Sequence, residues 1–389
     1  MADLTHYLNS DFDVSLRPRP RQLERQGLAR QVDELSVQGL LGADGGDSVL
    51  IRAEVPEPFL TYLDRCGLPI PQLLAHPRID STTRLAPFGW SAEAIELNRR
   101  HVNPVDHPPL STVRRVNARS FALELEAELF GGVSAGAVVA SVDELEAYLS
   151  DHGRADGWVV KAEHGNSALA NHRLAEPYLS EVDRRFVEGR LAEDDRLIVE
   201  PWLSRERDWS VVFLVPFESR TLRIHETIGT RDGALIGALF VPAGDGTPHD
   251  EELESASGRI ARRLEEEGYF GPVCLDAFSW HDGDRLRLRP LVDLNCRHSM
   301  SDGAYRLWRQ AAPEHTLYYR FFNRRRLELP GDVRQTASAL ADDAYDPARC
   351  RGTLLASPLE YGKLAVVFLG SDRREVFELE RRFRERFEV

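Results

Sequence analysis

Asp293, Asn295 and Arg297 fall at alternate positions directly after an apolar run, Pro290-Leu291-Val292. Side chains two apart on a strand point to one face. A further acid, Asp276, follows a second apolar run, Val273-Cys274-Leu275, and the turn His281-Asp282-Gly283-Asp284 separates the two segments. Paired as antiparallel strands across that turn, the runs would set Asp276 opposite the Asp293–Asn295 pair. Two carboxylates and an amide oxygen form a hard-oxygen set of the kind Mg²⁺ accepts beside nucleotide phosphates, with Mn²⁺ as an alternative. A lone acid at a strand end is often only solvated. Asp is depleted inside strands, however, and the spaced set asks for more than solvation.

Lysine supplies a second signal. Of 49 basic residues only Lys161 and Lys363 are lysine. Lys161 closes the apolar run Trp158-Val159-Val160 and precedes a loop of small residues, Ala162-Glu163-His164-Gly165-Asn166-Ser167-Ala168. A compact point charge at a strand end beside such a loop suits phosphate oxygens. The third segment is Val199-Glu200-Pro201-Trp202-Leu203, with Asp208 shortly after. Pro201 has no N–H, so ladder pairing is expected to lapse there and leave a hinge with free main-chain groups. Such groups can read an adenine edge, and Glu200 or Asp208 can accept from ribose hydroxyls.

These residues need strands and helices to bring them together. Residues 1–20 are polar and end in Arg17-Pro18-Arg19-Pro20, which predicts a loose arm. A helical pattern over 21–43, a strand at 48–52 and a helix around Phe59–Leu63 predict a small α/β unit. A Pro- and His-rich connector at 101–110 marks its end. Phe121, Leu125 and Leu129 recur every four residues and predict a helix over 119–130. Ser141-Val142-Asp143-Glu144 reads as a capping box. From about residue 195 the pattern turns to strands: 197–200, 209–215, 222–228 and 234–241, with Arg231-Asp232-Gly233 as a turn. A helix over 250–267 and strands at 272–279, 286–295 and 363–369 complete the reading.

At 389 residues, 42% hydrophobic and 29% charged, the chain reads as a soluble protein of two or three domains. A net charge of −14 argues against general nucleic-acid binding. No apolar run reaches the roughly 18 residues of a membrane span, and the N-terminus lacks the features of a signal peptide. Cys66, Cys274, Cys296 and Cys350 stand far apart with no CxxC, which predicts reduced thiols and a cytoplasmic location. No P-loop motif and no G-x-G-x-x-G occurs.

In this order the segments resemble the ATP-grasp superfamily over roughly residues 110–310. Its members hold ATP between two α+β subdomains, and most are carboxylate–amine or carboxylate–thiol ligases. The resemblance implies a small α/β domain over 1–110 and a smaller ATP-grasp subdomain over 111–195. A larger subdomain with the metal site would cover 196–330, and a strand–helix extension 331–389. Lys161 resembles the phosphate lysine, and Arg119 the basic residue that precedes it at a helix start. The loop 163–171, with His164, Gly165, Asn166 and Ser167, resembles the flap over the phosphates. Glu200 and Leu203 resemble the adenine hinge, and Asp208 the ribose ligand. Asp276, Asp293 and Asn295 resemble the Mg²⁺ ligands, with Asp293 where Glu is usual. Arg297 resembles the arginine that steadies an acyl phosphate or a substrate carboxylate. The expected reaction is ATP-dependent joining of a carboxylate to an amine, an amino acid or short peptide being the expected substrate. A small-molecule kinase and a non-catalytic nucleotide-binding module stay open, as does a homo-oligomer.

Overall fold

The computed structural model describes residues 3–19, 26–78, 83–132, 136–152, 156–165, 171–230, 235–242 and 246–389. Three sheets organise them. The first is parallel, with strands β1 (Leu4–Tyr7), β2 (Ser48–Ile51), β3 (Gln72–Ala75) and β4 (Arg84–Pro87) in the order β3-β2-β1-β4. Parallel neighbours need crossover connections. Helices Gln26–Leu35 and Glu57–Arg65 lie in those between β1 and β2 and between β2 and β3. The expected N-terminal arm is therefore wrong: β1 is an inner strand. Its polar look misled because Thr5 and His6 are buried and satisfied. Thr5 bonds Thr83, and His6 Nε2 lies 2.8 Å from Asp47.

The second sheet is antiparallel. Strands β5 (Ala137–Val139), β6 (Trp158–Ala162), β7 (Asn171–Leu174) and β8 (Leu197–Pro201) take the order β5-β8-β6-β7. Helices Val142–Asp151 and Glu181–Leu191 supply Leu145, Leu149 and Val187 to a core around Trp158. Ser141 caps the first of them, accepting from the Glu144 N–H at 3.1 Å. Because β8 pairs here, a boundary at 195 falls one strand early. The expected lapse at Pro201 occurs on one side only. Pro201 stays opposite Trp158 on β6 and Trp202 donates to Gly157 O, whereas β5 reaches only as far as Val199.

The third sheet has eight strands: β9 (Arg205–Val215), β10 (Arg223–Gly229), β11 (Leu235–Phe240), β12 (Gly271–Asp282), β13 (Arg285–Asn295), β14 (Thr316–Asn323), β15 (Gly352–Leu355) and β16 (Lys363–Gly370). Their order is β13-β12-β9-β10-β11-β14-β16-β15. The strands β15 and β16 belong to this sheet, so residues 331–389 are not an appendage. The turn expected at Arg231-Asp232-Gly233 lies outside the described residues, although β10 and β11 do pair antiparallel. Val211, Phe213, Val273 and Leu275 pack under Leu253, Ile260 and Leu264 of helix Asp250–Glu266.

One irregularity shapes the site. Pro290 has no N–H to give the ladder, and the β12–β13 register slips between Asp276 and Phe278. Beyond the slip, Asp276 stands directly opposite Asp293. Leu291 and Leu294 face the helices, a spacing of three that an unbroken strand would not allow.

Candidate active site

The second and third sheets meet at a cluster of buried charge. Lys161, at the end of β6, is 2% exposed. Its Nζ lies 2.7 Å from Glu200 Oε2 on β8 and 3.6 Å from Asp293 Oδ1 on β13. Arg119 opens helix Arg119–Phe130. It donates from Nε to Asp293 Oδ1 at 3.1 Å and from Nη1 to Ala162 O at 2.8 Å. Arg289 completes the network, forked onto Glu126 at 2.7 and 2.8 Å and donating to Glu200 Oε1 at 2.7 Å. Burial would raise the Glu200 carboxyl, but Arg289 and Lys161 together hold it well below the usual carboxylate range. Burial is likewise overcome at Asp293, which Arg119 and Lys161 keep ionised.

Asp276 is the opposite case. Burial raises its carboxyl to about 7, and the charge on Asp293 pushes the same way. Asn295 Nδ2 donates to it at 3.4 Å. Among the described residues no cation lies within ion-pair distance of Asp276, while every other acid in the cluster has one. An underneutralised carboxylate, facing a second across a ladder, fits a divalent cation. No group of three or more His, Cys, Asp or Glu among the described residues is placed to hold a metal. Two carboxylates and an amide are nonetheless enough for Mg²⁺, which keeps waters and phosphate oxygens in its shell.

Arg297 is not free. Its guanidinium forks onto Asp13, from Nε to Oδ1 at 3.1 Å and from Nη2 to Oδ2 at 3.0 Å, and Nη2 also donates to Asn295 Oδ1 at 3.0 Å. Asp208 pairs with Arg205 at 2.8 Å. Leu203 packs on Phe278, Trp280 and Val292, an apolar patch beside the charged cluster.

At the base of the expected flap, His164 O accepts from Arg17 Nε at 2.7 Å, and Gly165 O accepts from Arg119 Nη2 at 3.4 Å. His164 Nε2 lies 3.1 Å from Arg114 O, and burial lowers the imidazole pKa. Asn166 and Ser167 lie outside the described residues.

The structure thus draws Arg119, Lys161, Glu200, Asp276, Asp293, Asn295 and Arg297 into one cluster. Glu200 differs from its expected part: its carboxylate is spent on Lys161 and Arg289. Sequence reasoning missed Asp13, Glu126, Arg289 and Phe278. Only Glu126 left a trace, an acid beside Leu125 on an otherwise apolar helix stripe. Asp13 and Arg297 are 284 positions apart, a pairing no local pattern encodes.

Two sheets enclosing a lysine, paired acids and an Asn-x-Arg strand end, behind a parallel leading domain, make up the ATP-grasp fold, and this chain has it. N5-carboxyaminoimidazole synthetase from Staphylococcus aureus is similar at TM-score 0.56 and 10% identity, covering 99% of this chain and 97% of that one. Phosphoribosylamine–glycine ligase from Thermotoga maritima is similar at TM-score 0.56 and 12% identity, covering 99% and 97%. Biotin carboxylase from Campylobacter jejuni is similar at TM-score 0.56 and 9% identity, covering 100% and 92%. No protein-family model and no curated protein sequence matches the chain. No helix among the described residues is long and apolar enough to cross a membrane.

Proposed function

We propose that this protein is an ATP- and Mg²⁺-dependent ligase that joins a small carboxylate to an amine and releases ADP and phosphate. The observation that carries the reading is local. Lys161 and Arg119 converge on Asp293, directly across the ladder from the underneutralised Asp276. The similar solved structures include an ADP complex and a β,γ-ATP complex, and the ligase named among them acts on an amine and glycine.

Asp276, Asp293 and Asn295 would hold Mg²⁺, which would supply positive charge to offset that of the nucleotide phosphates. Lys161 and Arg119 turn from their carboxylate partners to the remaining phosphate charge. The patch of Leu203, Phe278 and Val292 seats the adenine, and Asp208 accepts from the ribose. Arg297 holds the substrate carboxylate. One carboxylate oxygen attacks the γ-phosphorus, the bond to the ADP oxygen breaks, and an acyl phosphate forms. The amine nitrogen then attacks the acyl carbon, the C–O bond to phosphate breaks, and the nitrogen loses a proton. Positioning and fixed charge supply the catalysis.

The test is nucleotide turnover with Mg²⁺-ATP and pooled carboxylates and amines, run beside Lys161→Ala. ADP release that needs both pools and is lost in the variant is the expected result. ADP release without an amine would make the protein a kinase. AMP as product, or turnover equal in the variant, would overturn the reading.

A further inference from the structure

A cavity of about 170 Å³ runs between β4, the start of β12 and the segment Cys296-Arg297-His298. The N-terminal sheet sets its place. β4 is an edge strand, and the chain leaves β1 and β4 at the point where the strand order reverses. Open parallel sheets bind ligands outside the carboxyl ends of their strands at that point. The loop after β4 is already fixed. Asn9 Nδ2 donates to Gly89 O at 2.9 Å, and Gly89 N–H donates to Asn9 Oδ1 at 3.2 Å. A Cβ on Gly89 would stand 2.4 Å from the Phe12 ring, so the loop lies hard against that ring.

Leu85, Pro87, Phe88, Trp90 and Pro272 give the walls their hydrocarbon. The Tyr269 hydroxyl is spent on Pro272 O at 2.6 Å. Arg297 divides this cavity from the polar cleft. It lines the cavity with its guanidinium 4.7 Å from the centre of the Phe88 ring, while its partners Asp13 and Asn295 line the cleft with Arg119 and Asp293. The carboxylate of Asp13 on Arg297 marks where an incoming carboxylate can be held, one residue contact from Asn295.

We infer that this cavity seats the hydrocarbon group of the carboxylate substrate, and that this substrate is a monocarboxylic acid bearing one aryl ring or a branched aliphatic group of that size. The inference rests on the ligase reading for its carboxylate and adds the chemical class. An apolar cavity of about 150 Å³ holds a benzene ring, so the volume suits one ring. His298 also lines the cavity, but its Nδ1 lies 2.8 Å from Asp302 Oδ2, so a second anionic group would lie mainly against hydrocarbon, where burial disfavours a charge. On binding, the substrate carboxylate displaces Asp13 from Arg297.

Calorimetric titration without nucleotide tests the cavity separately from turnover. The probes are 3-phenylpropanoate, glutarate and acetate, added to the full-length wild type and to Ala86→Leu, which narrows the cavity. The expected result is 3-phenylpropanoate binding at least about tenfold tighter than glutarate or acetate, and about tenfold weaker in the variant. Melting temperature and Mg²⁺-ATP affinity stay as in the wild type. Equal binding of the three acids, or unchanged 3-phenylpropanoate binding in a folded variant, overturns the inference. If Ala86→Leu does not fold, the order of the three acids on the wild type decides. Because ADP is not read, failure of the ligase reading shows up elsewhere, as AMP formation or mutant-independent turnover.

Discussion

On one side of Arg297 the molecule gathers charge, and on the other it encloses hydrocarbon. The cleft places Arg119, Lys161 and Arg289 among Glu126, Glu200 and Asp293, nearly all withdrawn from water. The cavity beside β4 has Leu85, Pro87, Phe88 and Trp90 in its walls and one strong charge at its rim. Buried ions are tolerable only when paired and hydrogen-bonded, so the cleft admits few substitutions. A hydrocarbon cavity is limited by volume and tolerates exchange of similar shapes. Under the proposed reaction, the contrast would match its two halves. A nucleotide polyphosphate demands fixed charge, while an acceptor is chosen by shape.

The charged side is most sensitive at Lys161. Lys161→Ala is expected to lower ADP release by about 10²–10³-fold, or about 3–4 kcal/mol of transition-state stabilisation, with an unchanged circular dichroism spectrum. A variant that turns over within about threefold of the wild type would take phosphate stabilisation away from this residue. Glu200→Gln comes next. It removes the carboxylate that Lys161 and Arg289 share and should cost about 3 kcal/mol in chemical denaturation. A loss below about 1 kcal/mol would show that Glu126 and Asp293 neutralise both cations unaided.

Asp194, outside both regions, is a buried acid without full neutralisation. Among the described residues both its oxygens are buried and unbonded, and the nearest cation, Arg17, is 3.8 Å away. Burial raises its pKa from 3.8 to about 6, against the pull of Arg17. A raised folded-state value means that the fold prefers the protonated form. The stability it contributes is complete below pH 3.8 and lost as pH rises through about 6. Asp194→Asn stays neutral, so it should gain about 1–2 kcal/mol over wild type at pH 7.5 and far less at pH 4.5. Equal gains in thermal melts at the two pH values would refute the assignment. The smallest effect belongs to a surface cap. Ser141→Ala should cost about 1 kcal/mol through loss of the bond to the Glu144 N–H and leave ADP release unchanged. A change in turnover would tie helix Val142–Asp151 to the site.

Local patterns carried much of this site. The alternation Asp293-x-Asn295-x-Arg297 follows from strand geometry alone, and the antiparallel turn at 281–284 sets Asp276 within reach. The helix over 119–130 was legible from its four-residue spacing, and it puts Arg119 at a helix start. The leading strand was not legible. Thr5 and His6 look like solvent-facing residues until Thr83 and Asp47 are seen to satisfy them.

By itself, then, the sequence determined which residue types could do chemistry and on which element each one sits, because periods of two and of about four residues are written locally. Tertiary structure alone decided what those residues meet. It spent Glu200 on Lys161 and Arg289, brought Asp13 to Arg297, and left Asp276 facing Asp293 with no cation paired to it among the described residues. It also enclosed the cavity along β4. These outcomes depend on contacts between segments up to 284 residues apart, and the net cost of a buried charge is fixed only by the neighbours that folding brings to it.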